Sequence, residues 1–513
     1  MSETQVIKKR NRQTMINLLT SIITFATTMA INFFLSPYIV KTLGEEANGF
    51  TQLANNFISY ASLITVALNS MAGRFITIHY YKNEIEKCNR LYSSIIIANL
   101  FIMLVLLLPA TLCSIYLENI IRISEANVYQ VKVLFSIAFA SFYATQILSL
   151  LNISTYVKNV LYIQNIINMV STLMRAALLI LLFAVFTPKI YYVSLAGFVL
   201  YVLTIPVAIV VKRRIMSEVV FNVKLFDFKS IKELLKSGVW NTINQCGSIL
   251  MTGLDLLLSN LFIGPVQMGV LSVAKIVPNA ITQLAVTING AFSPNQTISY
   301  SSDDKKEMLN SLNYAVKVSC IMVAICIVVF SVYAYDFYVL WQPTLDAKEL
   351  TILSIVTCMV YVPFCGTQTL YNVFTAANKL AVNSITFLVT GVLNFLVVFL
   401  LLKFTNLGLM AIVCSSVSLT MLRSFVVTIP YTAKVLGLKW YYFYKDSITS
   451  ILCCGIVALV SVAFRYLIMP KGWGMLIVAV AVSVLISLVC CIFAILNKEQ
   501  RNKLLIKMRI KHG

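Results

Sequence analysis

Four ionisable side chains stand where the surrounding chain is almost wholly apolar: Arg175, Lys275, Arg423 and Asp255. A cation removed from water must meet an anion or a hydrogen-bond acceptor, and arginine does so best through two parallel N–H bonds to phosphate or carboxylate oxygens. Inside a membrane span such residues mark a binding or ion pathway by default. The competing reading is that they snorkel to the lipid edge or bind helix carbonyls. Lys317, a turn or two from the end of its apolar run, fits snorkelling. Asp255 has two possible uses: binding a cation or proton (Na+ or H+), or neutralising Lys275 or Arg175. Amides accompany these charges: Asn55, Asn56, Asn241, Asn244, Gln245, Gln283 and Asn289. They can hydrogen-bond polar cargo or simply a neighbouring helix. Covalent catalysis is not expected, because the only histidines are His79 and His512 and no metal-ligand spacing, nucleophile motif or phosphate loop is present. No resident cofactor or metal is expected either.

The elements that must hold these residues are membrane spans. The chain is 59% hydrophobic and only 12% charged, with a mean hydropathy of +0.87. Soluble domains carry about 25% charged residues. Fourteen apolar stretches follow one another, each near the ~20 residues that cross a ~30 Å hydrocarbon core as a helix. The first, from Thr14 to Val40, is too long for a cleavable leader and reads as a retained span. Of 40 Lys and Arg, 28 fall in the N-terminal tail, the C-terminal tail and alternate links, against 8 in the other links and 4 within spans. That asymmetry predicts both termini on the cytoplasmic side. It also explains the +21 net charge without nucleic acid, since the basic links face anionic lipid. The twelve cysteines form no CxxC pair and mostly interrupt apolar runs, which suits core packing.

A shift of 220 residues aligns Gly44, Gly49, Ala54, Val66 and Asn69 with Gly264, Gly269, Ala274, Val286 and Asn289. Thr77, Ile78 and Tyr80 likewise meet Thr297, Ile298 and Tyr300. Six expected spans separate the copies, so both have one orientation, as in repeats related by an axis along the membrane normal. The expected architecture is all-α, with two six-helix lobes and two extra helices (6+6+2). Its parts are an N-lobe at 1–211, a cytoplasmic amphipathic linker at 212–237, a C-lobe at 238–430, two C-terminal spans within 431–497, and a basic tail at 498–513. Within the linker, Phe228, Ile231, Leu234 and Leu235 have helical spacing after a capping Asp227. Pro206, Pro278 and Pro363 lie within spans and predict kinks.

The glycine-bearing link Thr42–Phe50, the second-span exit Asn69–Ile76 and the basic joint at 227–236 resemble the polysaccharide-transporter branch of the multidrug/oligosaccharidyl-lipid/polysaccharide flippase superfamily. The resemblance implies a bacterial inner-membrane flippase that turns undecaprenyl-pyrophosphate-linked oligosaccharide from the cytoplasmic to the external leaflet. It would serve O-antigen, capsule, exopolysaccharide or teichoic-type polymers, beside a polymerase or glycosyltransferases. It further implies a polar, cationic cavity between the lobes. Arg175, Lys275 and Arg423 would meet pyrophosphate there, the amides would meet sugar, and Asp255 would couple transport or pair a cation. Two relatives of that function stay open. A cation-coupled multidrug exporter typically has an acid in the first span, where this chain offers Asn32, or several acids in the second lobe, where Asp255 stands alone. A lipid II flippase would carry first- and second-span arginines that are missing here.

Overall fold

The computed structural model describes residues 3–290, 292–293, 296, 300, 305–377 and 379–501. Thr297, Ile298 and the tail beyond Arg501 lie outside the described residues, as do the side chains of Lys8, Lys9, Arg10 and Arg12. All regular structure among the described residues is helical. Six long helices open the chain, with a single helical turn at Leu117–Ile120 between the third and fourth: α1 (Glu3–Leu43), α2 (Glu45–Tyr81), α3 (Ile85–Ile115), α4 (Val128–Val157), α5 (Leu161–Val185) and α6 (Tyr192–Ile215). Then come α7 (Phe228–Ser248), α8 (Asp255–Phe262), α9 (Pro265–Ala274), α10 (Ile276–Gly290), α11 (Lys305–Trp341), α12 (Ala347–Cys358) and α13 (Tyr371–Ala376). The last five are α14 (Leu380–Phe404), α15 (Leu409–Arg423), α16 (Ile429–Val435), α17 (Tyr444–Ile468) and α18 (Trp473–Ile495).

Eleven helical runs among the described residues are long and apolar enough to cross a membrane, or twelve if the bent pair α9 and α10 is one span. The difference from fourteen lies in the seventh, eighth and tenth expected spans, each interrupted within its length. The seventh passes through a π turn at Ile249–Gly253. The eighth bends by 40° at Lys275. Pro278 has no N–H for the carbonyl four residues back, and that carbonyl, on Ala274, accepts instead from Ser354 Oγ at 2.8 Å. The tenth runs from α12 through 3-10 turns at Met359–Tyr361 and Thr367–Leu370, either side of Pro363, into α13. Pro206, in contrast, lies inside an unbroken α6. The two shortest expected links are real turns, closed by Gly264 (φ 156°) and Gly408 (φ 56°).

Contacts divide the chain into two compact units. One holds the described residues up to Ile249 with Gly253–Gly269, and the other holds Leu250–Thr252 with the described residues from Val270 onward. In the first, Asp227 caps α7 as expected, accepting from the Lys229 and Ser230 amides at 3.0 and 3.1 Å. Ile231 and Leu234 are buried with Leu68, Ile76, Leu91 and Ile153. The basic surface helix is therefore the first turns of the helix that continues toward the π turn. Gly49 and Gly269 mark a close helix contact: a Cβ on Gly49 would lie 2.9 Å from the Gly269 backbone, and one on Gly269 only 2.3 Å from the Glu45 carbonyl oxygen.

In the second unit α17 and α18 share a core with α11, through Ala324, Val328, Val457, Leu476 and Ala479. α11 and α17 also run parallel in fixed register. Asn313 donates to Tyr442 (3.4 Å), Cys320 to Ser450 (3.5 Å) and Tyr333 to the Ser461 carbonyl (3.2 Å), with separations of 129, 130 and 128 residues. Arg465 and Asp336 add an ion pair at 2.8 Å in the same register. Seven of the twelve cysteines are buried, and all twelve are free thiols.

The repeat is visible inside each unit. Asn69 and Asn99 exchange two amide hydrogen bonds at 3.2 and 2.9 Å, and Asn69 also donates to Gln146. At positions 220 residues later, Asn289 accepts from Ser319 at 2.8 Å. The same helix pair is thus tied at the same place twice.

Candidate functional site

Arg423 closes α15 and is followed at once by a second π turn, Ser424–Thr428. Its side chain is 8% exposed. One terminal nitrogen donates to the Tyr371 hydroxyl at 2.6 Å and the other to Asn383 Oδ1 at 3.5 Å. The guanidinium carbon sits 4.4 Å from the Phe387 ring centroid, a cation–π distance. Nε is buried with no hydrogen-bond partner. Among the described residues no carboxylate lies within ion-pair distance of this charge. A buried cation held only by neutral groups keeps most of its desolvation penalty. The cage therefore has unspent capacity for an anion.

Arg175 belongs to the first unit. It is half-buried on α5, and its guanidinium lies over Gly197 of α6, 3.6 Å from where a Cβ would stand. Its Nε is also buried without a partner. A Cβ at 197 would make ordinary contact with the planar fork, and only a longer side chain would displace it.

Asp255, 2% exposed, begins α8 two residues past the first π turn. A π turn shifts the backbone bonding by one residue, and two side chains of α2 meet the Gly253 carbonyl there. Tyr60 donates to it at 2.6 Å and Asn56 at 3.0 Å. Asn56 and the Asp255 segment are therefore brought together, whereas Asn55 is exposed. Asn241 and Gln245 are half-buried on α7 and Asn244 is exposed.

In the second unit the Met251 carbonyl accepts from Asn394 at 2.9 Å and Ser416 at 3.1 Å. Lys275 is half-buried at the bend between α9 and α10. Gln283 is exposed on α10. Asn289, buried, takes Ser319 on its side-chain oxygen and Asn372 on its backbone oxygen, leaving Nδ2 without a partner. Lys317 donates to Gln500 at 3.4 Å.

Sequence reasoning missed Tyr60, Tyr371, Phe387, Asn383 and Asn394, the groups that surround the charges and the π turns. An aromatic or amide in an apolar run carries no positional signal until its partner's helix is placed. Asp446 was missed as well; it opens an expected span from its edge yet is 5% exposed.

Among the described residues the chain is an all-helical, multi-pass membrane protein, with eleven or twelve helical runs able to span a bilayer and one buried cation, Arg423, among buried amides. Residues 16–295 match the family model described as "Polysaccharide biosynthesis protein", and the chain belongs to that family. It is 28% identical over 506 residues to a Bacillus subtilis (strain 168) protein described as "Uncharacterized membrane protein EpsK", covering 97% of this chain and 98% of that one. Two solved structures share the fold. A multidrug resistance MATE family transporter of the MOP superfamily, inward-facing, is 13% identical with a TM-score of 0.65, over 82% of this chain and 98% of its own. Lipid II flippase MurJ in an inward closed conformation is 15% identical with a TM-score of 0.64, over 93% and 98%.

Proposed function

We propose that the protein moves undecaprenyl-pyrophosphate-linked oligosaccharide from the cytoplasmic to the external leaflet of a bacterial plasma membrane, by alternating access, for polysaccharide export. Both termini face the cytoplasm in this reading, which rests on the 28-to-8 placement of Lys and Arg. The headgroup of such a lipid cannot cross hydrocarbon unaided, since each unsatisfied polar group costs several kcal/mol. The protein needs only to supply substitute partners, and no covalent step. The observation that carries the reading is the Arg423 guanidinium, buried and braced by Tyr371, Asn383 and Phe387 without a carboxylate. A pyrophosphate supplies the missing counter-charge, with Arg175 and Lys275 as further cations and Asn56, Asn241, Gln245 and Asn289 as partners for sugar. Asp255 is the candidate for Na+ or H+ coupling. Polymerases or glycosyltransferases are the expected neighbours in the pathway.

Two related cargoes, lipid II and cationic drugs, are distinguished by one experiment. A strain lacking an oligosaccharide flippase accumulates its lipid-linked intermediate. Expression of this chain should clear that intermediate and restore surface polymer. Rescue of a lipid II flippase-deficient strain instead would move the cargo to lipid II. Restored drug resistance without either rescue would make the protein an exporter.

A further inference from the structure

Asp446 stands in the first turn of α17 and is buried to 5% exposure, and the next residue, Ser447, is buried to 4%. Asp446 Oδ2 and Ser447 Oγ both lie out of solvent with no hydrogen-bond partner. Opposite them runs α11. The parallel register that joins Asn313 to Tyr442 and Cys320 to Ser450 brings Lys317 within electrostatic reach of Asp446. No ion pair joins the two at hydrogen-bonding distance; Lys317 Nζ donates to Gln500 Oε1 at 3.4 Å. Among the described residues the titratable or charged groups nearby include Lys445, whose Nζ lies 4.0 Å from the Tyr442 ring, Cys320 on α11 with Cys453 and Cys491 beside it, and Glu499 and Arg501 flanking Gln500, with Arg501 over the Phe493 ring at 5.1 Å.

Two sets of forces act on this carboxyl. Lys317, Lys445 and the first amides of α17 favour the anion. Burial with one oxygen unbonded favours the neutral acid. An acid whose neighbours stabilise the anion without hydrogen-bonding it is neither a settled salt bridge nor a permanently neutral group. We propose that Asp446, faced by Lys317, is a proton-exchange site of this transporter, filled from the side of the membrane that carries the basic links. The step is a simple one: a hydronium ion gives one proton to the carboxylate at Oδ2 and leaves as water, and the Lys317 ammonium, no longer facing an anion, keeps its bond to Gln500. The link to flux rests on the transport reading; the protonation does not.

The test is an infrared titration of the purified full-length protein in nanodiscs without substrate. A protonated-carboxyl band should appear as pH falls and be missing in Asp446→Asn. Lys317→Met should move its midpoint upward, with roughly tenfold tighter proton binding, because a cation opposing the proton is gone. A band unchanged in Asp446→Asn overturns the proposal. Should that variant fail to fold, Lys317→Met decides alone, and an unmoved midpoint overturns it. In vesicles carrying the wild type, flux of a polyprenyl-pyrophosphate lipid should follow a pH gradient, and in Asp446→Asn it should not. An Asp446 band in a protein that moves no such lipid would overturn the cargo assignment and leave the proton site standing.

Discussion

Replacing Arg423 with methionine separates a transport site from a structural brace. The substitution removes a charge-assisted bond to Tyr371 at 2.6 Å, worth about 1.5–3 kcal/mol. It also removes a cation–π contact with Phe387 at 4.4 Å, worth about 0.5–2 kcal/mol. Against these stands the relief of a buried cation with no carboxylate partner, a penalty of several kcal/mol per ion. The two sides nearly cancel, so Arg423→Met should melt close to the wild type in detergent. Transport should behave otherwise. Loss of a two-bond grip on a phosphate, at about 1.5–3 kcal/mol per bond, lowers transport by roughly 10²–10⁴-fold, since ~1.4 kcal/mol is tenfold. Arg423→Lys, which keeps the charge and loses the fork, should fall between them. Lipid-linked intermediate measured in the complemented strain reads the transport side and a melting curve reads the stability side. Wild-type polymer export by Arg423→Met would refute the reasoning and reduce the arginine to packing.

Arg175→Ala and Lys275→Ala should each abolish polymer export at normal protein levels; unchanged export in both would remove them from the site. Asp255→Asn should fold normally and lose ion-dependent flux, measured by imposing Na+ and pH gradients on vesicles in turn. Gly238→Ala should destabilise by about 1–3 kcal/mol or more, because the new Cβ would stand 1.9 Å from the Ala67 carbonyl oxygen and backbone cannot step aside; thermal melting reads it. Asp227→Ala should cost about 1 kcal/mol of helix-cap stability. Its pH dependence has a definite sign, since the Ser230 side chain and the Lys229 and Ser230 amides hold the Asp227 carboxyl below its ordinary range. The cap is intact above the unfolded aspartate value and fades as pH falls through the lowered folded one, a loss absent from Asp227→Ala.

Much of the fold was legible because hydropathy and chain length are local quantities. Helices α1 to α6 fall where the apolar runs placed them, and the Asp227 cap and the tight glycine turns at 264 and 408 are short-range features. The breaks were less legible. Pro278 warned of the eighth-span bend, yet Pro206 sits in an unbroken helix. At Pro278 another helix supplies a donor for the freed carbonyl, Ser354 for Ala274. Nothing in Ile249–Gly253 or Ser424–Thr428 announced a π turn.

The order of apolar runs, the alternation of basic-rich and basic-poor links and the 220-residue repeat were properties of the sequence alone, because each is a pattern along the chain that needs no partner helix. The surroundings of each charge were not. That Arg423 lies between Tyr371, Asn383 and Phe387, that Asn289 meets Ser319, and that Asp446 loses water against α11 depended on helices distant in the chain packing side by side. A side chain's charge is written in its residue type, but its desolvation and its partners exist only once its neighbours are in place.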